Sequence, residues 1–165
     1  LKRRKNIELY RKLIKTNKIL NIAVFNESTS NYNFVRYFMD DLNGTALYAG
    51  IIGIMAVALA LNIAFRRMET KTAIGGDDDI LIKRSRAFGN LVEHAPLMII
   101  LLMLMEYKGS EFFVHLFGIG FVLCRGSHAY GIIARDGLGP DNIPRAVGAI
   151  GSWSLMILAS LMCIF

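Results

Sequence analysis

Arg86, Asn90 and Glu93 stand at i, i+4 and i+7 in this 165-residue sequence. On a helix, at about 100° per residue, they fall within about 60° of one another and form one stripe on one face. Arg125 and His128, at i and i+3, make a second stripe of the same kind. Residues of these types can serve as a structural ion pair or can converge on a ligand, because arginine forks grip carboxylates in bidentate fashion. His94 follows Glu93 directly and so points about 100° away from it. His94 and His128 have no further ligand at metal-binding spacing, and no metal site is expected. Cys124 and Cys163 both lie in apolar runs and are expected to act as small packing residues.

The elements that must carry these stripes are membrane helices. Hydrophobic residues make up 54% of the chain, too many for an ordinary soluble domain of this size. The net charge of +6 would suit a nucleic-acid binder, but it is confined to one end. Residues 1–38 hold nine Lys/Arg against two Asp/Glu, whereas 39–165 hold ten against eleven. Nucleic acid is therefore not expected as a partner of the body. The character changes abruptly at Met39, where a short polar cap precedes a long apolar run. Residues 1–38 are accordingly expected to be a basic extension from a mis-called start, and native protein beginning at Leu1 on N-terminal sequencing would refute this. A basic amphipathic surface helix around Ile7–Leu20 and a nucleic-acid arm are the competing readings.

Residues 39–165 are expected to form an all-α bundle of four transmembrane helices, at about 45–65, 80–105, 112–134 and 145–165. The first contains one strongly polar side chain, Asn62, and is expected to stop at Arg66 and Arg67. At about 1.5 Å per residue it crosses a hydrocarbon core of about 30 Å. Gly75-Gly76-Asp77-Asp78-Asp79 forms the turn that follows. The second helix is polar as far as His94 and apolar after Pro96, where a kink and a freed carbonyl are expected. Residues 106–111 are read as a short turn around Gly109. Gly148, Gly151 and Ser152 on the last helix permit close helix contact. The first loop and its flanks carry Arg66, Arg67, Lys71, Lys83, Arg84 and Arg86, against Lys108 alone in the second. Counting positive charges puts the first and third loops in the cytoplasm and both termini outside.

Depth brings the stripes together. Asn90 and Glu93 lie about three turns from the start of the second helix, and Arg125 about as far from the end of the third. A charge facing lipid at that depth costs at least about 2.5 kcal/mol, so Glu93 and Arg125 are expected to face a protein-lined pocket, plausibly each other. Arg66, Arg67, Arg84 and Arg135, near helix ends, are expected to snorkel to the headgroups.

The run Arg86-Ala87-Phe88-Gly89-Asn90-Leu91-Val92-Glu93-His94-Ala95-Pro96 resembles the signature of the MAPEG family, the membrane-associated proteins of eicosanoid and glutathione metabolism. The resemblance extends over about 42–165 in helix number, loop lengths and orientation. Leu47-Tyr48-Ala49-Gly50 and the region of His128 are most similar to the small bacterial branch.

The resemblance implies a homotrimer in a bacterial inner membrane, with glutathione as co-substrate between subunits in the cytoplasmic half of the bilayer. By position, Arg86, Asn90 and Glu93 would hold the peptide. His94, Arg125 and His128 would line the same site, with Arg67 or Arg66 at the end of the first helix. Arg145, with Arg135 in reserve, would stabilise the thiolate. A guanidinium beside the sulfur lowers the thiol pKa and supplies nucleophile at neutral pH. The second substrate would be a lipophilic molecule arriving from the bilayer. Phe88, His94 and Ile132 depart from polar or tyrosine positions of the family's mammalian synthases. The implied activity is a glutathione transferase or peroxidase, with a non-catalytic membrane scaffold as the alternative. A transporter or proton pathway through Glu93, His94 and His128 is a third and weaker option.

Overall fold

The computed structural model of the protein describes residues 42–135 and 141–165. They form four α-helices: α1 Asn43–Thr70, α2 Asp79–Tyr107, α3 Glu111–Ala134 and α4 Ile143–Ile164. All four are long and apolar enough to cross a membrane. The extension at 1–38, its suggested surface helix and the Gly137–Pro140 turn lie outside the described residues.

α2 and α3 each pack against the other three helices, while α1 and α4 scarcely touch. The core runs along α2 through Leu91, Ala95, Met98, Leu102 and Met105 and is closed by Tyr48, Val114, Phe117 and Phe121. The outward faces are equally apolar: Leu47, Ile54, Val57 and Leu61 on α1, and Ile150, Ile157 and Leu161 on α4. Such faces suit lipid, which offers them no hydrophobic penalty.

Without a hydrophobic drive between helices, close packing and hydrogen bonds hold the bundle. Glycines supply the first. A Cβ at Gly148 would run into the backbone of Cys124 and His128, and one at Gly131 into the backbone of Arg145. The expected close approach at Gly148 and Gly151 is therefore present, against α3. Cys124 and Cys163 are both free thiols, neither exposed.

α1 is longer than expected, continuing past Arg66 and Arg67 to Thr70. The arginines do not end the helix because their charge is satisfied locally. Arg66 forks onto Asp78, Nε to Oδ1 at 3.0 Å and Nη2 to Oδ2 at 2.7 Å, and also reaches Glu69. Arg84, from α2, donates to the Asn62 carbonyl at 2.9 Å. Both were expected to snorkel; within the protein they instead fasten α1 to the start of α2. Lys71 closes α1 in the left-handed region at φ 53°, with Thr72 N–H returning to Arg67 O. Gly75 and Gly76, at φ 71° and 109°, make the expected turn. Asp78 then caps α2 by accepting from Leu81 N–H at 2.7 Å.

Glu106 is the main departure. It does not sit in a turn but inside α2, and it is buried. Its carboxylate accepts from Gly44 N–H and Thr45 N–H, each at 2.7 Å. Leu42, before α1, offers no side-chain cap, so the cap comes from another helix. The turn itself is shorter, with Gly109 at φ 79°. α2 also continues through Pro96 as one helix.

Two outcomes are expected. Replacing Glu106 by Gln removes the charge and one of the two acceptors, and should cost about 1–3 kcal/mol in detergent unfolding. An unchanged melting profile would show the cap to be incidental. At the other end, the Asp78 carboxyl is held below the ordinary carboxylate range, first by the Arg66 fork and then by Leu81 N–H. A carboxyl depressed by folding stabilises fully above its unfolded pKa and loses that contribution as pH falls through its folded pKa. Protection of the α1–α2 loop from proteolysis should therefore hold at neutral pH and fail only at pH values below the usual carboxylate range. Asp78→Asn should be cleaved more readily at neutral pH and lack that acid transition.

Candidate functional site

The first four turns of α2 form a ridge between two clefts. One, of about 400 Å³, is lined by Arg67, Gly75, Gly76, Ser85, Arg86, Asn90 and Glu93. The other, of about 360 Å³, is lined by Lys83, Arg86, Asn90, His128, Ile132, Arg145, Ala149 and Trp153. Arg86 and Asn90 belong to both, because the stripe they share lies along the crest. Asn90 Nδ2 donates to the Arg86 carbonyl at 2.9 Å. That bond orients the amide and uses one of its two N–H donors.

Glu93 lies in the first cleft, exposed, with Arg67 and Arg86. Arg67 is braced there by a hydrogen bond to the Ala73 carbonyl. A lone carboxylate between two guanidinium groups suits a zwitterion, an ammonium set against carboxylates. The second cleft is lined by the cations Lys83, Arg86 and Arg145 and by the apolar side chains of Ile132, Ala149 and Trp153.

Arg125 does not meet Glu93, contrary to expectation. It is buried at 2% exposure among the three helices α2, α3 and α4. Its guanidinium donates to the Asn90 carbonyl at 3.1 Å, to the Gly148 carbonyl at 3.4 Å and to the Ser152 hydroxyl. The Phe121 ring lies 5.6 Å from its Cζ. The cation is thus dispersed over neutral dipoles and braces the bundle. The carboxylate has turned to the α1 side of the ridge. Equal depth was sound, but the two stripes look into different spaces.

His94 is held at both ring nitrogens. Nδ1 lies 2.9 Å from the Asn90 carbonyl, and Nε2 accepts from the Trp153 indole at 3.0 Å. A carbonyl can only accept, so the proton sits on Nδ1. His94 thereby orients the indole that walls the second cleft. His128, buried, likewise gives its Nδ1 proton to the Arg145 carbonyl at 2.8 Å.

The two arginine candidates separate clearly. Arg145 sits in the first turn of α4, after the Asn142 cap, and lines the second cleft. Asn142 also donates to the Gly131 carbonyl at 2.7 Å and so ties α4 to the end of α3. Arg135 is exposed at the C-cap of α3 and lines neither cleft.

Sequence reasoning missed Lys83, Ser152 and Trp153. Lys83 was counted only as a loop-flank charge. Ser152 was read as small, not as a hydroxyl acceptor for a buried cation. Trp153 is the chain's lone tryptophan, eight residues beyond Arg145, and that was the available signal.

Comparison with known proteins agrees with this geometry. Inner membrane protein YecN of Escherichia coli strain K12 is 34% identical over 93 residues, which cover 55% of this chain and 71% of that protein. YecN of strain O6:H1 matches to the same extent. The profile of the MAPEG family matches residues 45–165, the whole of the bundle from the first turn of α1 to the last residue. The matched region takes in all four membrane helices, the polar ridge on the second included: the protein belongs to the MAPEG family.

Proposed function

We propose that this protein is a glutathione-dependent transferase or peroxidase of the membrane, acting on lipophilic electrophiles as a homotrimer. The observation that carries the reading is the ridge itself. Arg67, Arg86 and Glu93 on one side, and Arg86 and Arg145 on the other, gather cations and one carboxylate in the same half of the bundle. A tripeptide with two carboxylates and an ammonium requires such a set. Arg145 would hold the sulfur as thiolate, and the apolar wall that includes Trp153 would receive the electrophile from the lipid. The bacterial inner membrane is the proposed location, in keeping with the name of the YecN relative. Both termini would lie outside, so that the clefts open to the cytoplasm, as the loop charges suggest.

A second reading, a membrane scaffold without thiol chemistry, draws on one observation. Both ring nitrogens of His94 are already engaged, and Ile132 brings no hydroxyl to the cleft it lines. These positions add no polar contact to the ligand.

Calorimetry of glutathione with purified trimer decides between the two. Wild type should bind, and Glu93→Gln should bind about tenfold more weakly through loss of one charge-assisted bond. Arg145→Ala should retain binding but lower turnover of a chlorodinitrobenzene-type electrophile by about 100-fold. Absence of binding, with capture of a stoichiometric membrane partner, would select the scaffold.

A further inference from the structure

His128 is poised differently from His94. Its Nδ1 proton is committed to the Arg145 carbonyl, so in the neutral ring Nε2 carries the lone pair. That Nε2 is buried and has no hydrogen-bond partner among the described residues. His128 is 5% exposed, yet it forms part of the wall of the second cleft. A buried acceptor without a donor is unfavourable and marks a place that a ligand's X–H group would fill. The remaining polar side chains of the cleft are the Asn90 amide, the Trp153 indole N–H, already given to His94, and Lys83, Arg86 and Arg145, which are donors only.

Resting on the glutathione reading above, we propose that His128 Nε2 takes the proton from the bound thiol. One residue joins the two roles. The backbone carbonyl of Arg145 fixes the His128 tautomer, and its guanidinium is the group proposed to hold the sulfur. The step balances simply: the S–H bond breaks, an Nε2–H bond forms, and the electron pair stays on sulfur. The charged and titratable groups around the imidazole are Arg125 on α3, Arg145 on α4, and Lys83, Arg86 and His94 on α2. These cations would oppose an imidazolium standing alone. They do not oppose this transfer in the same way, because thiolate and imidazolium together keep the pair's net charge at zero. The proton then leaves through the wet mouth of the cleft, and neutral His128 is restored.

The test compares wild type with His128→Gln, whose amide keeps hydrogen bonding but cannot take up a proton. S-methylglutathione, which has no thiol proton, should bind both within about threefold, since it asks only for uniform binding contacts. Turnover by His128→Gln should fall about 100-fold at neutral pH and recover as alkali ionises the thiol without help. An unchanged pH profile overturns the proposal. So does loss of S-methylglutathione by a variant that still assembles, since His128 would then be a peptide contact. Should the variant not assemble, the wild type supplies a second test. Its turnover must decline on the acid side as His128 becomes protonated, and a flat profile there overturns the assignment. Wild type that binds no glutathione would sink the functional reading itself, which is separable from a wild type that binds but does not use His128.

Discussion

The bundle depends on a guanidinium placed where hydrocarbon surrounds the protein. Arg125 cannot face lipid without a cost of at least about 2.5 kcal/mol, so it must be enclosed and bonded. Its partners are the Asn90 carbonyl on α2 and the Gly148 carbonyl and Ser152 hydroxyl on α4. Three helices are drawn to a common point by one side chain. Gly148 makes the geometry possible, since any side chain there would hold α4 away from α3. The ridge of α2 is fixed by the same contact, because the carbonyl that Arg125 holds belongs to Asn90, whose own amide lines both clefts.

The helices were legible because a membrane simplifies the pattern. Apolar runs of spanning length must be helical, since lipid satisfies no backbone group. The glycine turn at 75–76 and a close helix contact at Gly148 and Gly151 followed from residue type alone, whereas α3 as the partner did not. Helix ends were less legible. Arg66 and Arg67 read as a boundary because a charged pair so often marks the water surface, but a nearby carboxylate, Asp78, let the helix continue.

The pairing of polar residues was the hardest part to read. Spacing places Arg86, Asn90 and Glu93 on one face, and they do share one. It cannot say which neighbouring helix that face meets. Glu93 and Arg125 are at one depth yet separated by the ridge, and Arg125 is satisfied by carbonyls, which have no sequence signature. Glu106 shows the same limit. Its partners are two backbone N–H groups some sixty residues away in sequence, made acceptor-hungry by the start of a helix that lacks its own cap.

Glu106 has a further consequence when set beside Lys108 and Tyr48. At one end of the bundle Glu106 ties α2 to α1, Lys108 ties it to the last turn of α4 through the Cys163 carbonyl, and the Tyr48 hydroxyl reaches His115 on α3. Both polar clefts lie at the opposite end, beside the α1–α2 loop and the start of α4. Among the described residues the ties gather at one end of the bundle and the polar clefts at the other. Among the described residues, a water-borne molecule meets both polar clefts from the side of the α1–α2 loop, so the compartment bathing that loop sets what these clefts can encounter.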